Sequence, residues 1–154
     1  MSLFLKYLSV LGVSLLPVLE LRAAVPYGVA LDLPLSAVLM ISIIGNMLPI
    51  PFIILFIRQI LTWMKKKNPR LRGFAEKLEA RAQEKGKDLI VKYETFGLYV
   101  FVAIPLPGTG AWTGALIAAL FNLRMKHALP AIFCGVVTAG LIMSVVSYGV
   151  DMLI

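Results

Sequence analysis

The sequence has few of the charged residues that keep soluble domains in water. Only 15% of its 154 residues are charged, 60% are hydrophobic, and the mean hydropathy is +0.90. Soluble domains average about 25% charged and 45–50% apolar residues. The composition therefore excludes an ordinary soluble globule, a disordered chain and a nucleic-acid-binding domain.

The residues that build enzyme and metal sites are also scarce. There is one histidine and one cysteine, Cys134, so the chain has no intramolecular disulfide and no cysteine metal cluster, and Cys134 is expected to act as a small apolar side chain. The sequence contains no HExxH, no GxSxG and no phosphate-binding glycine loop ahead of a lysine. We predict no catalytic residues, no cofactor and no metal. An intramembrane enzyme built from Glu20 and Asp32 is the weaker alternative.

The positive charge is concentrated in one segment. Eleven of the 15 Lys and Arg residues, but only four acids, lie between Arg58 and Lys92. This pattern is typical of a membrane protein with one cytoplasmic basic loop rather than of a nucleic-acid partner. We expect a multi-pass protein of a prokaryotic-type cell membrane, in contact with membrane lipid.

Two apolar segments are long enough to span a bilayer. About 20 apolar residues cross a hydrocarbon core of ~30 Å as a helix. The segment of residues 33–64 meets this requirement with length to spare, and residues 128–153 form the second predicted transmembrane helix.

Two other apolar regions are interrupted at their middles. Residues 94–104 and 111–122 are each about half a bilayer long as helix. The stretch between them cannot continue a helix because it contains Pro105, Pro107, Gly108 and Gly110. We predict a re-entrant hairpin over residues 93–122.

The first apolar region has the same layout. Residues 9–19 and 23–31 flank Glu20-Leu21-Arg22, with Pro17 and Pro26 as breakers, which predicts a re-entrant hairpin over residues 7–31. A full span over residues 3–19 is the alternative. The predicted fold is thus an all-α integral membrane protein with two inverted repeats, residues 1–64 and 93–154, each a hairpin followed by a transmembrane helix. Hydropathy and breaker placement carry this prediction, with no residue-level identity between the halves.

The segment between the repeats, residues 65–92, is predicted to be a cytoplasmic amphipathic helix. Lys77, Arg81 and Lys85 form a basic stripe four residues apart. The helix would lie on an anionic leaflet or, equally, form a solvated stalk that only fixes the topology.

The second hairpin tip is a candidate anion site. Irregular backbone at membrane depth is tolerated where it is buried in protein or lines a wet cavity. The helix that begins near Ala111 would direct unpaired N–H groups at a phosphate or carboxylate, with Thr109 and Trp112 adding a hydroxyl and an aromatic face. A purely structural tip is the alternative.

Glu20 and Arg22 are the opposite charges that we expect deep in the membrane. A charge there costs at least ~2.5–3.5 kcal/mol, so it is a functional candidate by default. At an unwound tip both side chains could face one cavity, with Glu20 as a proton carrier and Arg22 as an anion contact. A structural ion pair between them is the alternative.

A third break interrupts the first long span. Pro49 and Pro51 release the carbonyls of Gly45 and Met47 from their helical partners, and Asn46 could fill the gap or face a ligand. A simple proline kink is the slightly favoured interpretation.

Three motifs together resemble the family of putative small multidrug export proteins: Glu20-Leu-Arg-Ala-Ala-Val-Pro26-Tyr-Gly28, Gly45-Asn46-x-x-Pro49-x-Pro51, and Pro105-Leu-Pro-Gly-Thr-Gly-Ala-Trp-Thr-Gly114. That family in turn is similar to the DedA/VTT (SNARE-associated) membrane proteins, in which two re-entrant hairpins oppose each other. Several DedA/VTT proteins are linked to lipid scrambling, polyprenyl-phosphate recycling or proton-dependent drug tolerance. The second hairpin here lacks the arginines of DedA-type proteins, so Glu20 and Arg22 are the residues that could play matching parts.

Together these features predict a small transporter or lipid translocase. It would move an amphiphilic or anionic substrate and could be coupled to protons. We expect a homo-oligomer, most simply a dimer, because the two small halves provide few helices to enclose a pathway. A non-transporting membrane scaffold or assembly factor is the alternative function.

Overall fold

The protein is described by a computed structural model that covers residues 2–151, with side chains described except at 88–92, 148, 150 and 151. The part of the chain that it covers is all-helical and contains no strand, as predicted. The predicted end of the last span, at residue 153, lies outside the described residues. The helices are α1 (Leu3–Leu15), α2 (Glu20–Ala30), α3 (Leu35–Met47), α4 (Ile50–Lys67), α5 (Pro69–Ala103), α6 (Ala111–Leu120) and α7 (Met125–Asp151).

Two helical segments are long and apolar enough to cross a membrane, Leu35–Lys67 and Met125–Ser147. They correspond to the two spans predicted from the sequence. The first consists of α3 and α4, which meet at Leu48 and Pro49. Both of these residues keep backbone angles close to helical, with φ/ψ of −58°/−43° and −77°/−18°. The third break is therefore a proline kink rather than an unwound ligand site.

The break between α1 and α2 covers residues 16–19 and contains Pro17. Glu20 begins α2 with a φ of +50°, in the left-handed region, so the chain turns sharply at this residue. Pro26, predicted as a breaker, lies inside α2 and does not interrupt it. That prediction is corrected. A proline removes one intrahelical hydrogen bond, and α2 continues past it to Ala30.

The basic linker is the first part of α5, which bends at Glu94, where φ is +42° and ψ is −113°. It is not a solvated stalk. Ala75 and Ala82 are at most 1% exposed, and they belong to the same hydrophobic cluster as Leu61 of α4 and Ile117 of α6. The apolar stripe of the linker thus covers the core, and Arg81 and Lys85 of its basic stripe lie beside the two breaks.

The C-terminal ends of α2 and α6 have the same backbone geometry. At the end of α2, Asp32 N donates to Val29 O and Leu33 N to Gly28 O; at the end of α6, Asn122 N donates to Ala119 O and Leu123 N to Ala118 O. Asp32 and Asn122 share the same φ of +58°. This is the hydrogen-bond pattern of a helix C-terminus closed by a left-handed residue, and it recurs in both halves at a spacing of 90 positions.

The same spacing relates further residues. Leu16-Pro17 corresponds to Leu106-Pro107 in the second break. Gly45 of α3 packs against α1, where an added Cβ would collide with the Ser14 hydroxyl, and Gly135 of α7 packs against α5, where an added Cβ would lie 2.7 Å from Val102 Cβ. The two halves therefore share a register that their sequences alone did not reveal.

Candidate functional site

The two breaks meet in the interior of the molecule. Glu20, at the first break, is only 4% exposed, and it lies against the N-terminus of α6, where the second break ends. Sequence reasoning placed Glu20, Arg22, Thr109 and Trp112 at two separate tips, and the structure brings all four together. Their hydrogen bonds join residues 87 to 92 positions apart in the chain.

The Glu20 carboxylate caps α6. Ala111 N donates to Glu20 Oε2 at 3.0 Å, and Trp112 N donates to Glu20 Oε1 at 3.1 Å. A carboxylate at a helix N-terminus satisfies orphan N–H groups and interacts favourably with the helix dipole. The predicted anion site at this terminus is thus filled by a side chain of the protein itself, which corrects the expectation that these N–H groups are free for a substrate.

Gly110 makes this cap possible. A Cβ added at Gly110 would collide with the Glu20 carboxylate. The backbone of Gly110 is extended, with φ −81° and ψ −174°, so the glycine is required by the close approach of Glu20 and not by its own conformation.

Arg22 holds the irregular backbone of the second break. Its guanidinium donates to Leu106 O at 2.5 Å, to Ile104 O at 3.0 Å and to Thr109 Oγ1 at 3.0 Å. The Thr109 hydroxyl also lies 2.7 Å from Ile104 O. Leu106 N and Thr109 N donate to the same two carbonyls, at 2.9 Å and 3.2 Å, so Arg22 adds charge-assisted bonds to the backbone of this break.

Glu20 and Arg22 do not form the ion pair that was the alternative prediction. Among the described residues, the ion pairs are Lys65–Glu79 and Arg72–Glu76. The buried Glu20 instead binds backbone N–H groups at the start of α6, and the half-buried Arg22 binds backbone carbonyls of the second break. Charge-assisted hydrogen bonds of this kind are stronger than those between neutral groups, so the two breaks stabilise each other.

A cavity of about 570 Å³ opens beside this contact. Its walls come from both breaks, from α4, from the first part of α5 and from α6. Charged side chains in the wall are Glu20, Arg22, Arg81 and Lys85, and apolar ones include Ile53, Ile57, Phe74, Leu78 and Leu116. Three cationic groups face one carboxylate, so the cavity carries a net positive charge.

Lys85 links the linker helix to the second break. Its Nζ donates to Gly108 O at 3.1 Å. Gly108 has a φ of +80°, which glycine adopts at no steric cost, and a Cβ there would lie against Lys85 Nζ. Sequence analysis placed the basic stripe on an anionic leaflet or, equally, on a solvated stalk. The four-residue spacing puts Arg81 and Lys85 on one face of α5, and in the structure both line this cavity.

Trp112 and Asn46 each leave a buried polar atom without a partner. Both atoms are enclosed. Within the described part of the chain, Trp112 Nε1 donates no hydrogen bond and Asn46 Oδ1 accepts none. Trp112 lines the 570 Å³ cavity. Asn46 lies on the other side of Glu20, where a small space of about 10 Å³ is bounded by both residues. Such a space holds about one water molecule.

The remaining predicted residues lie at helix contacts, at the kink and in the second break. Gly45 allows α1 and α3 to approach closely, Pro51 lies in the first turn of α4, and Pro49 forms the kink. Pro105 and Pro107 lie in the break that Arg22 clamps. No group of three or more His, Cys, Asp or Glu side chains that could hold a metal ion occurs among the described residues.

A comparison with known families gives one result. The model of a family described as "Putative small multi-drug export protein" matches residues 20–142. This range begins at Glu20, directly after the first break, and includes the second break, α6 and most of α7. No curated protein and no solved structure matches the chain.

Proposed function

Because the chain belongs to the family of putative small multi-drug export proteins, we propose that it is a membrane transporter that moves an amphiphilic or anionic substrate through the 570 Å³ cavity. Glu20 exchanges a proton during the cycle. The proposal includes lipid translocation of the kind seen in DedA/VTT proteins as one form of this transport, and it involves no enzymatic step.

We propose that α1 with α2, and the second part of α5 with α6, are re-entrant hairpins of an inverted repeat. The helices α2 and α6 have 11 and 10 residues, about half of what a span requires. The shared register of 90 positions supports the repeat. The three lysines at the end of α4 and the basic linker favour a cytoplasmic location for this side of the molecule, so the hairpins would enter from opposite faces.

The observation that carries the proposal is the Glu20 cap on α6 in the wall of the cavity. As a carboxylate, Glu20 accepts hydrogen bonds from Ala111 and Trp112. Protonation would remove its charge and weaken both bonds. The contact between the two breaks would then loosen, which couples proton uptake at Glu20 to the width of the passage.

The experiment is transport by the full chain in liposomes. Fluorescent phosphatidylglycerol reports lipid flipping, and an imposed pH gradient reports coupling. We expect Glu20→Gln to retain the fold, since an amide oxygen can still accept a hydrogen bond, and to lose at least about tenfold of the pH-driven flux, as expected for a general proton-transfer group. Glu84→Gln, an exposed glutamate on α5, is the matched control and should leave the flux unchanged.

Two outcomes would contradict the proposal. Undiminished pH-driven flux in Glu20→Gln would remove the proton role. No flux of any kind in the unsubstituted protein, together with tolerance of charge changes at Glu20 and Arg22, would favour the alternative of a non-transporting scaffold or assembly factor.

We also propose a homodimer. Large apolar side chains such as Phe133, Leu141 and Val145 of α7 are 47%, 54% and 74% exposed in the single chain, and a second copy or lipid would cover them. A mass measurement on the detergent-solubilised protein tests this, with a protein mass of twice 16.9 kDa expected. A monomer mass would contradict it.

A further inference from the structure

The cavity wall contributed by α5 changes character along its length. Phe74 and Leu78 line it at one end, and Arg81 and Lys85 line it at the other. These residues recur at helical spacing on one face, and Phe74 and Lys85 are about 17 Å apart along the helix at ~1.5 Å per residue. One wall of the cavity is thus apolar at one end and cationic at the other.

The other walls add side chains of both kinds. Ile53 and Ile57 of α4 line the cavity and pack on the same core cluster as Leu78. Lys85 is tied to Gly108 of the second break, and Arg22 is a further cationic lining residue. The cavity therefore combines apolar and cationic side chains.

The polar end offers hydrogen-bond donors that the protein does not use. Arg81 has five N–H donors and makes no hydrogen bond or ion pair to the described residues. Lys85 Nζ has three donors, and one of them binds Gly108 O. Each oxygen of the Glu20 carboxylate accepts a bond from α6. Free donors with positive charge suit an anionic group.

We infer that the cavity binds an amphiphile with a single anionic headgroup and an apolar chain. Arg81 and Lys85 bind the headgroup beside Trp112, and the chain lies along Phe74, Leu78 and Ile57. This assigns to the linker helix the recognition of substrate, and it rests on the proposed function only in taking this cavity as the substrate site.

The test uses Trp112 as the reporter. The chain has two tryptophans, and Trp63 is 55% exposed on α4, so Trp63→Phe leaves Trp112 as the single tryptophan, which can be excited selectively. The full chain in phosphatidylcholine nanodiscs is titrated with dibromostearate, which carries a carboxylate, and with a dibrominated quaternary ammonium of the same chain length. We expect saturable quenching by the anion at concentrations at least tenfold lower than by the cation.

Two substitutions locate the headgroup. A hydrogen bond to a charged group contributes enough that its loss weakens binding by about tenfold, so Arg81→Gln and Lys85→Gln should each weaken dibromostearate binding by about that factor. The double variant Arg70→Gln/Lys77→Gln removes the same type of charge from exposed positions on α5 and should bind within twofold of the parent. Since Arg81 has no partner in the described protein, Arg81→Gln tests binding without disturbing the second break.

Competition separates an amphiphile from a free anion. Unbrominated stearate should displace the probe, and inorganic phosphate at the same concentration should not. Displacement by phosphate as effective as by stearate, equal quenching by the cationic probe, or unchanged binding in Arg81→Gln would each overturn the inference. Binding as expected, together with undiminished pH-driven flux in Glu20→Gln, would overturn the proton role while the inference stands.

Discussion

Arg22 binds the irregular backbone of the second break. Its bonds reach the carbonyls of Ile104 and Leu106 and the hydroxyl of Thr109. Leu106 N and Thr109 N donate to the same two carbonyls, and Arg22 adds charge-assisted bonds, so a side chain from the other half reinforces the shape of residues 104–110. Arg22 is thus a positioning residue for the cavity wall.

Arg22→Gln should lower the free energy of unfolding by about 3 kcal/mol, since it removes several hydrogen bonds from a charged donor. Unfolding of the detergent-solubilised protein by denaturant measures this. Arg58→Gln is the matched control, because Arg58 makes a single exposed bond to Leu120 O at 3.3 Å, and it should cost less than about 1 kcal/mol. Equal losses in the two variants would contradict the clamp.

Gly110→Ala should destabilise the protein by about 1–3 kcal/mol, since the new methyl group meets the Glu20 carboxylate and overpacks the contact. Gly73→Ala is the control. Gly73 lies within α5 with open space where its Cβ would be, so alanine there should stabilise by about 0.5–1 kcal/mol through helix propensity. Thermal unfolding of both variants gives the comparison, and a shift of the same sign in both would contradict the tight approach at Gly110.

At the scale of single residues, the sequence identifies Glu20 and Arg22 as candidate site residues but does not identify the groups that they bind. Glu20 and Arg22 were singled out because charges are rare and costly in apolar segments. Their partners are backbone groups more than 80 residues away, and no local pattern encodes such a pairing. The alternative of an ion pair between Glu20 and Arg22 is not observed. Each of the two side chains binds groups of the second half instead.

Close helix packing carries a prediction at the scale of elements. Gly45 of α3 faces Ser14 of α1, and a Cβ there would collide with the Ser14 hydroxyl. Gly45→Ala should therefore destabilise the α1–α3 contact by about 1–3 kcal/mol. Adding Ser14→Ala removes the hydroxyl and should restore part of the loss. A double-mutant cycle measures the coupling, and strictly additive effects would contradict the contact.

The linker helix shows what periodicity can and cannot predict. The spacing of Leu71, Phe74, Ala75, Leu78 and Ala82 indicated an amphipathic helix, and that stretch is helical. Periodicity says which residues share a face but not which surface that face covers. The buried Ala75 and Ala82 pack against other helices, and Arg81 and Lys85 of the basic stripe line the cavity.

A single proline predicted a helix break less reliably than a cluster of prolines and glycines. Pro26 is accommodated inside α2, whereas Pro105 and Pro107, followed by Gly108, lie in a true break. A single proline removes one hydrogen bond, which neighbouring packing can offset. Two prolines together with a glycine in a left-handed conformation leave too many unmade bonds for a helix to continue.

At the scale of the whole molecule, the proposed inverted repeat predicts opposite exposure of equivalent positions. Ser36 and Lys126 are exposed residues in the first turns of α3 and α7, and they are related by the shared register. In a Cys134→Ser background, Ser36→Cys should react with an impermeant maleimide from outside intact cells. Lys126→Cys should react only after permeabilisation. Labelling of both from the same side would contradict the inverted arrangement.

Residues of the second half complete bonds that the first half leaves open. The partners of Arg22 and Glu20 are synthesised more than 80 residues after them. In the proposed hairpin topology, the first hairpin would enter the bilayer during biosynthesis with two unpartnered charges, in a state of high free energy that ends only when residues 104–112 follow. A truncated chain that stops before this point should be a substrate for membrane quality control, since its polar groups have no other place to go.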